Sequence, residues 1–173
     1  MQNIIFLDID GVINDNHKDI SVESIKILKQ IINENNAKIV IIGSLLGNGS
    51  FENKEYIKNM FKKFNITNID FIDPNYEGNY LDIKLPSRTL GIIEYLKGNL
   101  NYNYVILDDW FDRFYKLLKL NYYKINTWKG LTKIDYHNII FKKNNLNHIK
   151  NINYHYRKTM KNNKIFIKDL RNI

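Results

Sequence analysis

Apolar positions along the chain follow two periods in turn. Residues 3–9 (Asn-Ile-Ile-Phe-Leu-Asp-Ile) are a short apolar run ending in acids, which predicts a buried strand, and Gly11 turns the chain directly after it. Ser21, with Glu23 and Ser24 behind it, caps a predicted helix over 21–34 in which Ile25, Leu28, Ile31 and Ile32 recur at helical spacing. Lys38–Ile42 predicts a second strand, stopped by Gly43-Ser44. A helix over 52–64 follows, with Tyr56, Ile57, Met60, Phe61 and Phe64 on one face. Ile69–Ile72 predicts a third strand, and 74–86, with Gly, Asn and two prolines, predicts a loop. Ser87 caps a helix over 88–97; Tyr104–Leu107 is a strand that runs into Asp108-Asp109; 110–119 is a short aromatic helix or turn. Tyr122–Ile125 is another strand, and Leu131 opens a helix over 132–142.

Strands that alternate with helices predict an α/β fold, a Rossmann-like parallel sheet with helices on both faces. In such sheets ligands sit at the carboxyl ends of the strands, where the strand order reverses. Here those ends carry Asp8, Asp10, Ser44, Asp108 and Asp109. Four carboxylates on one edge repel one another unless a cation lies among them, so the edge is a candidate site with a candidate metal.

The run Asp8-Ile-Asp10-Gly11-Val12-Ile13-Asn14-Asp15 resembles the first motif of the haloacid dehalogenase (HAD) superfamily. The resemblance implies that Asp8 is a nucleophile that becomes an aspartyl phosphate and that Asp10 is the general acid/base. Period two in the strand predicts that residues 8 and 10 leave on the same side, so one carboxylate attacks while its neighbour handles the proton. Lys38–Ser44 resembles the second motif, with the Ser44 hydroxyl on the phosphoryl group. The third motif is a basic residue that holds nucleophile and phosphate; Lys84 and Arg88 are the candidates, Arg88 favoured because it heads a helix. Tyr104–Asp109 resembles the fourth, in which Asp108 and Asp109, with Asp8 and the main-chain carbonyl of Asp10, hold Mg²⁺. Together with Ser-Val-Glu-Ser-Ile (21–25), the Arg88-headed helix and Lys-Gly-Leu-Thr (129–132), the pattern over about residues 3–142 is similar to a small capless HAD group associated with RNA-repair proteins. That group usually reads Ser-Ser-Trp-Arg at the second motif, where this chain has Gly43-Ser44-Leu45-Leu46.

Spacing bears on the substrate. Thirty-three residues separate Asp10 from Ser44 and 43 separate Ser44 from Arg88. Neither gap holds a substantial cap domain, and an open site suits a nucleic-acid end or a phosphoprotein better than a small metabolite.

Charge adds a second argument. The chain of 173 residues has a net charge of +8. Residues 1–141 hold 17 Lys/Arg and 17 Asp/Glu; residues 142–173 hold nine Lys/Arg and one acid, Asp169. A neutral body with a basic end is the asymmetry of a protein that meets polyanions. The expected division is therefore a HAD-like catalytic domain over 1–143 and a basic C-terminal extension over 144–173. In the extension, Tyr154-His-Tyr-Arg157-Lys158 interleaves aromatic and basic residues as single-strand binders do, or as an amphipathic helix packed on the body does. Trp110, next to the metal acids, is either a base-stacking side chain or core or rim packing; His17 is either at the mouth of the site or on the surface, and His137, His148 and His155 are read as surface residues.

There is no cysteine, which excludes a disulfide framework, a thiolate metal site and a cysteine nucleophile. No apolar run approaches the length of a membrane helix and no basic n-region opens the chain, so the expectation is a cytoplasmic protein with no membrane partner. The reading in full is a Mg²⁺-dependent phosphatase acting on a phosphomonoester, with RNA or DNA ends reached through the basic segment as the preferred substrate. A nucleotide or other small-molecule phosphatase, a phosphoprotein phosphatase and a non-catalytic HAD-fold binding module are the alternatives. Oligomeric state is not legible.

Overall fold

The computed structural model describes residues 2–14, 20–42, 51–72, 79–80, 83–84, 87–98, 101–110, 115–116 and 118–144, the side chains of 51–53, 79–80, 83–84 and 87 excepted. Ser44, Asp15, His17, His148, His155 and the interleaved 154–158 segment lie outside the described residues.

In chain order the elements are β1 (Gln2–Leu7), α1 (Val22–Asn35), β2 (Ala37–Ile41), α2 (Phe51–Lys62), β3 (Ile69–Phe71), β4 (Asn79–Tyr80), β5 (Ile83–Lys84), α3 (Ser87–Lys97), β6 (Tyr102–Asp108), β7 (Tyr122–Lys124), α4 (Lys133–Asn138) and β8 (Lys142–Lys143). The main sheet runs β3-β2-β1-β6-β7, all parallel, with β8 antiparallel on β6. The order reverses between β1 and β6, which pair from Gln2–Tyr102 to Leu7–Leu107. A crevice at the carboxyl ends of these two strands is where this topology places a ligand.

The apolar run of β1 is central because both its faces are covered. Ile4, Ile5, Phe6 and Leu7 have no exposed surface, each contributing on the order of 2 kcal/mol of apolar burial. Alternation sorts the strands between two cores. Ile5, Leu7, Ile39, Ile41, Val105 and Leu107 pack with Ile25, Leu28 and Ile31 of α1 and Ile57 and Phe61 of α2. Ile4, Phe6, Val40, Tyr104 and Ile106 pack with Leu90, Ile92, Ile93 and Leu96 of α3, and with Tyr115, Leu118 and Leu120. Helices therefore lie on both faces, as the alternating pattern requires. Ser21 caps α1 by accepting the Ser24 N–H at 3.2 Å, and Asn36 ends it in the left-handed region at φ 46°.

Three predicted elements differ. The 74–86 stretch contains a two-stranded antiparallel hairpin, β4–β5, rather than a plain loop. The last helix ends at Asn138 instead of 142, because Lys142 and Lys143 pair with Tyr104 and Asn103 of β6 and Asn121 Nδ2 holds the Ile140 carbonyl at 2.8 Å. Within 110–119 the described part is a helical piece at 115–116 and a turn at 118–119. Among the described residues neither motif gap holds a cap domain: the first is a short excursion closed by an Asn14–Ile20 bridge and then α1, and the second is α2, β3 and the hairpin. No described helix is long and apolar enough to cross a membrane.

Candidate active site

The two central strands end side by side, and the acids they carry follow from strand parity. Asp108 ends β6 on the side of Ile106 and Tyr104, and Asp8 continues β1 on the side of Phe6 and Ile4, which is the α3 side of the sheet. Both are buried: Asp8 is 3% exposed and Asp108 0%. The Asp8 N–H continues the ladder onto the Leu107 carbonyl at 2.9 Å, so the nucleophile candidate sits on rigid backbone.

Arg88, in the first turn of α3, reaches over this edge. Its Nη1 donates to Asp108 Oδ2 at 2.8 Å and to Asp8 Oδ2 at 3.3 Å. Lys84, the other basic candidate, belongs to the β5 hairpin, and its side chain lies outside the described residues. Among the described residues, one guanidinium faces the clustered acids. Asp8, Asp108 and Asp109 each offer a carboxylate oxygen within 4.8 Å of the others. Burial, countered by Arg88 and reinforced by the charges of Asp108, Asp109 and Asp10, pushes the Asp8 carboxyl up to about 7. Burial works against the Arg88 charge, but Asp8 and Asp108 outweigh it and hold the guanidinium protonated beyond its ordinary range. Three hard oxygen donors with a surplus of negative charge are a donor set that fits a small divalent cation such as Mg²⁺.

Asp10 lies beyond the strand on which the period-two expectation rests, and its charge still adds to the rise of the Asp8 carboxyl. β1 ends at Leu7 and residues 10–13 form a turn, so alternation does not carry to residue 10. The turn is held by Asn14, a buried side chain that sequence reasoning passed over. Its Oδ1 accepts the Gly11 N–H at 2.7 Å and its Nδ2 donates to Asp10 Oδ1 at 3.0 Å. Gly11 is required twice: its φ is +73°, and a Cβ there would overlap the Asp109 carboxylate. The Asp10 carboxylate is not one of the three clustered acids.

Two further supports also escaped the sequence. Tyr115, with no exposed surface, donates its hydroxyl to Asp108 Oδ2 at 3.1 Å, and Asp108 Oδ1 accepts the Trp110 N–H at 2.9 Å. Thr127 Oγ1 donates to Asp109 Oδ2 at 2.9 Å. Tyr115 lies in the aromatic stretch after Asp109, where a buried phenol needing a partner for its hydroxyl was the one available signal. Lys129–Thr132, quoted above as part of the family pattern, is a brace. Leu131 N–H donates to the Val12 carbonyl at 2.7 Å, Ser24 Oγ donates to the Leu131 carbonyl at 3.1 Å, and Thr132 caps α4 in a capping box with Asp135. Gly130, at φ +61°, has Ser24 Oγ 2.9 Å from where a Cβ would stand. The brace thus pins the turn that carries Asp10. Of the other candidates, Trp110 is 72% exposed rather than packed into a core, and His137 is an exposed residue of α4 stacked edge-on against Tyr136 at 4.8 Å.

No curated protein and no solved structure matches the chain. A family model does: the HAD domain in Swiss Army Knife RNA repair proteins matches residues 4–136, from the first residues of β1 through most of α4. The match spans the strand order, the acid-bearing edge and the Arg88 helix together, and the chain belongs to this RNA-repair-associated family of the HAD superfamily.

Proposed function

We propose that the protein is a Mg²⁺-dependent phosphatase that removes a phosphomonoester from a nucleic-acid end through an aspartyl phosphate on Asp8. The observation that carries the reading is the meeting of buried Asp8 with Arg88 and with Asp108 and Asp109 at the strand-order reversal. Asp8, Asp108 and Asp109, with the Asp10 carbonyl, would hold the ion. A bound Mg²⁺ supplies the charge neutralisation that lets a carboxylate approach a phosphate.

The chain's own residues supply the rest. An Asp8 carboxylate oxygen attacks phosphorus, an O–P bond forms and the bond to the leaving oxygen breaks. Asp10 gives its proton to that leaving oxygen, then takes one from the water that attacks the aspartyl phosphate, releasing phosphate and restoring Asp8. Asn14 holds the Asp10 carboxylate in place for both transfers. Arg88 neutralises Asp8 and the incoming phosphoryl oxygens, and Ser44 adds a hydrogen bond to them. The absence of a cap domain among the described residues, the basic charge of residues 142–173 and the RNA-repair family favour a nucleic-acid end over a metabolite.

A phosphatase panel tests this: an aryl phosphate, mononucleotides, a phosphopeptide, and 5′- and 3′-phosphorylated oligonucleotides, each with Mg²⁺ and with chelator. The expected result is Mg²⁺-dependent release that is greatest from one class of oligonucleotide end and falls as salt rises. Preference for mononucleotides or the phosphopeptide at any salt would move the substrate to that class, and no Mg²⁺-dependent release from any substrate would leave a binding module.

A further inference from the structure

The chain has two tryptophans, and both are left in water: Trp110 is 72% exposed and Trp128 is 74% exposed. Single exposed aromatics are ordinary on protein surfaces. Their position is not. Trp110 follows Asp109 directly, and its N–H donates to Asp108 Oδ1 at 2.9 Å. Trp128 follows Thr127, whose hydroxyl donates to Asp109 Oδ2 at 2.9 Å. Trp110 thus hydrogen-bonds a clustered acid through its own backbone and Trp128 follows a residue that does so, on the loops that leave β6 and β7 at their carboxyl ends.

Their backbones also enter further hydrogen bonds. The Trp110 carbonyl accepts the Tyr122 hydroxyl at 3.4 Å. Trp128 N–H donates to Asn126 Oδ1 at 3.0 Å, and Lys129 and Gly130 donate to the Asn126 carbonyl at 3.0 and 2.9 Å, closing a tight turn. An aromatic ring on ordered backbone loses little entropy when a flat ligand covers it. Lys129, exposed beside Trp128, adds positive charge of the kind a phosphate backbone seeks.

We propose that Trp110 and Trp128 stack on bases of the single strand whose terminal phosphate enters the Asp8 site. The inference rests on the phosphatase reading and adds to it the group that recognises the substrate: unpaired bases rather than sugar or phosphate alone. Stacking is tolerant of sequence, because every base has a π-face, so the end is read by its being single-stranded.

The full chain is assayed with Mg²⁺ on three substrates: a short phosphorylated single strand, the same strand with its terminal nucleotides abasic, and an aryl phosphate as a base-free control. For Trp110→Ala and Trp128→Ala, kcat/KM on the base-bearing strand falls about tenfold. Activity on the abasic strand changes less than about twofold, and Trp→Phe recovers most of the loss. Equal losses on both strands, or none, overturn the stacking proposal while leaving the phosphatase standing. No release by wild type from any substrate overturns the phosphatase instead. Tryptophan emission of the Asp8→Asn protein gives a binding readout free of turnover: the base-bearing strand quenches it and the abasic strand does not. Absence of that difference overturns the proposal whatever the activity shows.

Discussion

Two of the described sites that set a cation against acid do so with opposite results. At the sheet's β3 edge, Lys38 Nζ meets Asp70 Oδ2 at 3.0 Å, and the Tyr95 hydroxyl donates to the same oxygen at 3.3 Å. One cation faces one acid, with the Asp70 side chain 46% exposed. Burial raises the Asp70 carboxyl, but Lys38, the Phe71 N–H and Tyr95 together bring it below its ordinary value. At the β1–β6 edge, Arg88 faces Asp8 and Asp108, which are nearly or wholly out of water, with the half-buried Asp109 alongside. There burial and like charge prevail and the Asp8 carboxyl rises to about 7. The first cluster is a matched surface pair worth about 1 kcal/mol at most. The second is an unbalanced, buried one, and a fold keeps such an arrangement where a ligand supplies the missing charge.

Variants of the two clusters break this comparison in order of expected effect. Asp8→Asn lowers phosphate release at least about a thousandfold and raises the melting temperature of the metal-free protein, since a buried repelling charge is gone. Asp70→Asn leaves release unchanged and lowers the melting temperature slightly. Steady-state kinetics and a thermal melt in chelator read both, and a destabilised Asp8→Asn protein would contradict the imbalance.

Arg88→Met removes the one cation that the described residues place on the buried acids and costs about 3 kcal/mol in chelator. Much of this is recovered with Mg²⁺, which supplies charge at the same place. Chemical denaturation with and without the ion measures it, and an equal loss in both conditions would separate Arg88 from the metal site.

The pH dependence follows from the raised Asp8 value. The folded protein holds that proton more tightly than the unfolded chain. Asp8 therefore contributes stability in full below about pH 4, and that contribution is lost as pH rises through about 7. Metal needs the deprotonated carboxylate, so the Mg²⁺-induced rise in melting temperature is larger at pH 8 than at pH 6. In the Asp8→Asn protein this difference shrinks. The smallest effect is at the surface pair, where Lys38→Met costs less than about 1 kcal/mol and is insensitive to Mg²⁺.

What the sequence made legible is what local pattern encodes. β1, β2 and β6 were readable because buried apolar runs have no polar face, and α1 because Ser21 caps it and its apolar residues recur at helical spacing. Asp8, Asp108 and Asp109 were readable as a group because parallel strands bring their ends to one edge. The hairpin β4–β5 and strand β8 were not, since two-residue pairings depend on a distant partner and leave no period. How the Asp10 turn is held was not legible either: the strand stops at Leu7, and Asn14 and a brace from Leu131 fix the turn that Gly11 announced. Tyr115 and Thr127 meet the acids across chain separations of 7 and 18 residues; the aromatic stretch hinted at the first, and nothing in Thr127's own neighbourhood announces the second.

The claim on which the rest depends is that Asp8 carries the phosphoryl group. Turnover of a phosphorylated oligonucleotide with Mg²⁺ is quenched in acid, treated with borohydride to reduce any acyl phosphate, and the protein is digested for peptide mass spectrometry. The account predicts reductive labelling at residue 8, present only with substrate and Mg²⁺ together. Labelling at another carboxylate, or steady phosphate release with residue 8 unlabelled, would contradict it.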